Sequence, residues 1–182
     1  VINPIRVNYP ITLDKNNHTG GYYYVDYPFH KIRVINLNTS DVPIILDDSG
    51  NYIKKELVGQ WFLGMQEAQL KWLACDALHF DESGWSVLFI SHSTPVTDKL
   101  VNNRNVFKEI VNAFKNNTCG VAVSEDEYFN ARVEYDFSQN ASNDVLLSLC
   151  GHNHKDVVRE EDGITVVTTQ NILGSAKTPY DD

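Results

Sequence analysis

Disulfide chemistry is the first thing this sequence has little of. Three cysteines, Cys75, Cys119 and Cys150, are scattered through 182 residues with no CxxC pair, and an odd, widely spaced set does not make a disulfide framework. A reducing, cytoplasmic compartment is expected. Positive charge is scarce as well: 15 Lys and Arg stand against 24 Asp and Glu, a net charge of −9. No overall field would attract a phosphate backbone, and Lys54-Lys55 is too small a patch to hold nucleic acid by itself. No run approaches the ~20 apolar residues that a bilayer span needs, and the N-terminal VINPIRVNYP has neither the basic nor the apolar segment of a secretory leader. Neither a membrane nor a nucleic acid is therefore expected as a partner. Four N-x-S/T sequons, at Asn17, Asn38, Asn116 and Asn140, say little about glycosylation, because so Asn-, Ser- and Thr-rich a chain yields roughly two by chance.

What is present is enough apolar material for a core. With 42% hydrophobic and 11% aromatic residues the chain reads as one soluble globular domain spanning 1–182. It opens on Val1 and not on Met, as expected of a piece of something larger. The composition, rich in Asn, Lys, Ile and Tyr and poor in Arg, points to an AT-rich bacterial or phage genome.

The chain alternates strand-like and helix-like segments. GYYYVDY (21–27) and KIRVINL (31–37) are aromatic and β-branched runs broken at Pro28, which predicts two paired strands. A long loop follows over 39–59. From Gln66, the residues Leu70, Leu73, Ala74, Ala77 and Leu78 recur at helical spacing, and Val106, Ile110, Ala113 and Phe114 do the same within 103–115. WSVLFIS (85–91) and VLLSLC (145–150) are continuous apolar runs of the kind buried on both faces of a sheet. GVAV, ARVEYDF and ITVVTT (164–169) supply further strands. The expected class is layered α/β with a mixed β-sheet and flanking helices. Leu70, Leu73, Ile110 and Phe114 should be buried against strands 85–91 and 145–150.

Chemistry gathers where the two apolar strands end. His92 follows WSVLFIS and opens a Ser-Thr-Pro loop; His152 and His154 follow VLLSLC in Gly151-His152-Asn153-His154. Open α/β sheets place ligands at such strand ends. A lone histidine after a strand is more often a surface or satisfied core residue. GHxH is more specific: the glycine permits a sharp turn, and two imidazoles at i and i+2 can each face a metal ion. Imidazole nitrogen suits Zn, Fe and Mn. The other histidines read as structural: His18 in a turn, His30 at a hairpin corner, and His79 at a helix C-terminus, where it complements the dipole. Asp156 is read as solvated, with orientation of a ligand imidazole as its other possible role.

FISHSTP and SLCGHNHKD, in that order, resemble the C-terminal metal-binding motifs of calcineurin-like metallophosphoesterases. YYYVDYPFHKIRVINLNTSD is similar to that family's central hairpin, which ends in Asp-Thr or Asn-Thr, and QLKWL at 69–73 resembles its helix signature. The resemblance covers nearly the whole chain and implies an incomplete four-layer sandwich. It also implies that His92 and His152 bind one divalent metal and His154 the other. The family's Asp-x-His, Gly-Asp and Gly-Asn-His motifs are absent, so no catalytic residue is identified. The expected partner is the N-terminal half of the same domain. The complete domain would hold two metals, Mn, Fe or Zn, and hydrolyse a small phosphorylated substrate: a phosphomonoester, a phosphodiester or a nucleotide. This chain alone is expected to hold at most one ion and to be inactive. Two other readings fit the same residues: a degenerate relative serving as a binding or scaffold module, and a mononuclear three-histidine zinc site.

Overall fold

The aromatic and β-branched runs pair with their sequence neighbours, and the apolar runs line up beside them. In the computed structural model, which describes residues 9–51 and 62–170, the main sheet has seven strands. They are β1 (Ile11–Leu13), β2 (Tyr23–Tyr27), β3 (Ile32–Leu37), β5 (Ser86–Ser91), β9 (Asp144–Cys150), β10 (Val157–Glu161) and β11 (Ile164–Thr168), in spatial order β1-β2-β3-β5-β9-β11-β10. The centre β3-β5-β9-β11 is parallel, and antiparallel pairs close both margins. Two short strands, β4 (Leu63–Gly64) and β6 (Val101–Asn102), pair with each other in a separate two-stranded sheet. A separate hairpin joins β7 (Cys119–Ser124) to β8 (Ala131–Asp136). The class is thus mixed α/β with one large mixed sheet and few helices. Strands β1 and β10 went unforeseen, and the loop read over 39–59 is described only to residue 51; its remainder, with Lys54 and Lys55, lies outside the described residues.

Both predicted helices form, with one difference. The first is α-helical only over α1 (Glu67–Trp72) and continues as a π-helical turn over Leu73–Ala77, closed by the N–H of Leu78 on the carbonyl of Leu73 at 3.1 Å. A wider turn keeps the apolar stripe facing inward: Leu70, Leu73, Ala74, Ala77 and Leu78 are all fully buried. His79 bonds the Ala74 carbonyl through Nε2 at 3.0 Å, and Arg33 caps the same end by donating to the carbonyls of Ala77 and His79. The second helix, α2 (Arg104–Lys115), starts at Asn103 in the left-handed region, and it buries Val106, Ile110, Ala113 and Phe114.

Every described helix lies on one face of the main sheet. Strands β3, β5, β9 and β11 advance across the sheet in one direction, so right-handed crossovers deliver the intervening helices to the same side. On that side Trp72 meets Tyr24, Phe107 packs edge-on against Phe89 with ring centroids 5.4 Å apart, and Arg33 lies between the rings of Tyr24 and Phe80. The β7–β8 hairpin then packs against the helices from beyond, burying Ala122, Ala131 and Val133.

The opposite face is apolar and has no described helix or strand packed on it. Register places Tyr23, Val25, Tyr27, Val34, Leu88, Ile90, Leu147, Leu149 and Val167 there, all only half-buried. The expectation that strands 85–91 and 145–150 are buried on both faces therefore needs correction. Val87 and Phe89 are fully buried, whereas their alternates Leu88 and Ile90 are not, because every described helix lies on the first side. Among the described residues no helix is long and apolar enough to cross a membrane.

Candidate metal-binding site

Two neighbouring parallel strands, β5 and β9, end beside each other, with Ser91 registered on Cys150. The first residue past β5 is His92, and the second past β9 is His152. The backbones are tied there: the N–H of Gly151 donates to the carbonyl of His92 at 3.0 Å, and the N–H of Thr169 donates to that of Cys150 at 2.9 Å. The rings meet edge to face with centroids 5.0 Å apart, and Nδ1 of His152 lies 3.0 Å from Nε2 of His92 in a hydrogen bond whose donor depends on tautomer. Residues separated by 60 positions in sequence are thereby brought into contact.

The turn that makes this contact is not where the sequence suggested. Gly151 is not among the positive-φ glycines, and a Cβ built on it would meet only the His92 carbonyl at an ordinary 3.8 Å. The left-handed conformations fall instead on His152 (φ 68°) and His154 (φ 52°). Each costs about 1 kcal/mol or more and persists only where the surroundings enforce it; such strain clusters at functional sites. The N–H of Asn153 bonding back to the Gly151 carbonyl at 2.9 Å is part of that enforcement.

Behind the histidines lies a polar brace that joins three of the sequence motifs. Gln69 of α1 is fully buried. Its amide donates to the carbonyl of Asn38 and to Asp41, and its oxygen accepts from the N–H of Asn38. Gln66 adds two bonds to Asp41. The next residue in the braced loop, Thr39, accepts the N–H of Ser93 on its hydroxyl at 3.3 Å, which anchors the residue after His92. Thr94 bonds Ser148 of β9 at 2.8 Å. The Asn-Thr end of the hairpin, the QLKWL helix and the His92 loop thus form one hydrogen-bonded unit.

Electrostatics favour neutral imidazole here. Partial desolvation, and then the neighbouring His152 and His154, hold His92 below its ordinary pKa of 6.5, although the residue is exposed. His154 is close enough for its charge to be felt at His92, but its side chain stands exposed. Among the described residues no three His, Cys, Asp or Glu side chains are gathered closely enough to cage an ion as they stand. The His92–His152 pair by itself does have the spacing for one. Two nitrogens bound to one ion at about 2.0–2.1 Å, with roughly 90–109° between them, stand about 2.8–3.4 Å apart.

The remaining candidates take structural places. His18 lies in a turn and His30 closes the β2–β3 corner by donating its N–H to Tyr27 at 3.0 Å. Asp156 accepts the N–H of Gln170 at 2.8 Å. A groove of about 760 Å³, lined by Asp14, Glu67, Lys71, Trp72, Arg132 and other residues, shares none of its lining with the histidines; they stand past the C-terminal ends of two central strands, not in that groove. One charged residue escaped the sequence reading. Asp98, six positions after His92, places Oδ2 4.0 Å from Nε2 of His152, with both side chains almost wholly buried. Its only signal in the sequence is Thr94-x-x-x-Asp98, which becomes a single turn through the N–H of Asp98 on the Thr94 carbonyl at 3.0 Å. Comparison with known proteins adds no relative: no family model, curated protein or solved structure matches this chain.

Proposed function

We propose that the chain is the C-terminal part of a metallophosphoesterase domain, with His92, His152 and His154 contributing to a divalent-metal centre that hydrolyses phosphate esters. The observation that carries the reading is the 3.0 Å approach of Nε2 of His92 to Nδ1 of His152 at the adjoining ends of two parallel strands. The brace from Asn38 and Gln69 to Ser93 supports it, since motifs resembling one family's meet in space as well as in order. A divalent ion bound there, of Mn, Fe or Zn, would neutralise phosphoryl oxygen charge and lower the pKa of bound water. The chain's own residues would hold the ion with neutral nitrogen and orient it through a rigid strand-end frame.

The partner in this reading is the N-terminal half of the same domain, seated on the uncovered apolar face as the second sheet of a sandwich. Among the described residues the crossovers all fall on one side and no helix covers the other, and large apolar areas left open mark docking surfaces. Among the described residues no carboxylate joins the three histidines in a cage that would offset the repulsion of two nearby cations, so the chain alone should hold at most one ion and not turn over substrate. The substrate class is a phosphomonoester, phosphodiester or nucleotide. Three unpaired cysteines favour a reducing, cytoplasmic setting.

The experiment is to read the gene upstream of Val1 and assay the joined product. Asp-x-His, Gly-Asp and Gly-Asn-His motifs there, with Mn²⁺-dependent cleavage of a chromogenic phosphodiester by the two halves together, are the expected result. An upstream region without carboxylate ligands would turn the reading toward a scaffold module. The histidine pair also favours a second reading, a single-ion site complete in this chain, which metal stoichiometry separates.

A further inference from the structure

Asp98 is held more firmly than a loop carboxylate needs to be. Its Oδ1 accepts the N–H of Leu100 at 2.9 Å. Its Oδ2 accepts the hydroxyl of Ser93, a residue that is 2% exposed and whose own N–H is tied to Thr39. The carboxylate therefore stands on the same brace that fixes the His92 loop. It faces Nε2 of His152 at 4.0 Å, the side chains being 12% and 10% exposed, so little water screens one from the other.

We propose that Asp98 is a positioning residue: it holds the proton of His152 on Nε2 and so turns the unprotonated Nδ1 toward His92, prearranging two nitrogens for one divalent ion. The two ring nitrogens of imidazole are distinct, and the group beside one decides which of them carries the proton. A buried carboxylate beside Nε2 favours N–H there. Nδ1 is then the acceptor in the 3.0 Å contact, and His92 donates from Nε2 while no ion is present. When His92 ligates through Nε2, that proton passes by way of water to Nδ1 of the same ring. At 4.0 Å the carboxylate acts by charge on the ring. Carboxylates paired in this way with a ligand imidazole raise its basicity and fix its orientation.

The inference rests on reading His92 and His152 as an ion site, and its test separates the two. Nitrogen-15 NMR of the imidazoles of residues 1–182, without metal and at neutral pH, reads the tautomer directly. The expected result is His152 with its proton on Nε2 in the wild type and a mixture of tautomers in Asp98→Asn, whose carbonyl oxygen still accepts from Leu100 while its NH2 donates to the Ser93 hydroxyl. Titration with Co²⁺ or Zn²⁺ should show affinity about 10–100-fold weaker in Asp98→Asn, with the Co²⁺ absorption envelope unchanged. Ser93→Ala, which frees one carboxylate oxygen while leaving Leu100 bonded, should move both readouts the same way by less. The proposal is overturned by an unchanged tautomer in Asp98→Asn. A changed Co²⁺ envelope also overturns it, since Asp98 would then be a ligand itself. If the tautomer shifts but neither protein binds metal, the role of Asp98 stands and the metal reading fails.

Discussion

The two faces of the main sheet are built from the same kind of residue and end in different states. On one, Ile35, Val87, Phe89 and Val166 lose all contact with solvent beneath α1 and α2. On the other, Val34, Leu88, Ile90, Leu149 and Val167 alternate with them and stay half-buried. Apolar composition alone does not determine burial; the direction in which strands advance does, because it decides which side the crossovers fall on. Among the described residues, apolar side chains line both faces and helices cover one.

Substitutions can sharpen or break this contrast. Phe89→Ala should cost about 3–5 kcal/mol, since a large ring packed on Phe107 leaves a cavity, whereas Leu88→Ala should cost about 1 kcal/mol or less, because a half-buried side chain has less apolar area to lose. Urea midpoints measure both, and equal costs would mean that the second face is covered after all. The open face should also make the isolated chain associate with itself. Sedimentation velocity is expected to show concentration-dependent assembly that Leu149→Lys reduces while circular dichroism stays constant. Unchanged sedimentation would remove the argument from the apolar face. The smallest effect concerns the strand-end site. His92 resists protonation when folded, so the unfolded state binds more protons as pH drops through about 6.5, its ordinary value. Its contribution to stability is then full above that pH, declines as pH falls toward the folded pKa, and levels off below it. Between about pH 7.5 and pH 5 the urea midpoint of His92→Gln should therefore fall less than that of the wild type.

The elements that periodicity carries were legible in the sequence. The stripes of Leu70 to Leu78 and of Val106 to Phe114 are helical and buried, and the runs around Val87 and Leu149 are parallel strands that end one and two residues before a histidine. What was not legible depended on three-dimensional neighbours. The widening of the first helix into a π turn has no local code in Leu73–Ala77. Left-handed backbone at His152 and His154 was hidden by the glycine beside them, which looked like the natural place for it. Asp98 reads as one more charged loop residue until Ser93 and Leu100 hold its carboxylate beside an imidazole that arrives 54 positions later in sequence. One-sided burial was invisible too, because a continuous apolar strand looks the same whether or not its second cover is present.

His92, His152 and His154 are proposed to belong to a phosphoesterase metal centre that this chain holds only in part. Elemental analysis and Mn²⁺ or Zn²⁺ titration of residues 1–182, beside His152→Ala and with a phosphodiester assay in the same samples, test it most directly. The predicted result is at most one ion per chain, lost on His152→Ala, with no turnover. Two tightly held ions with turnover that His152→Ala abolishes would contradict the partial centre, and an ion content untouched by His152→Ala would contradict the site itself.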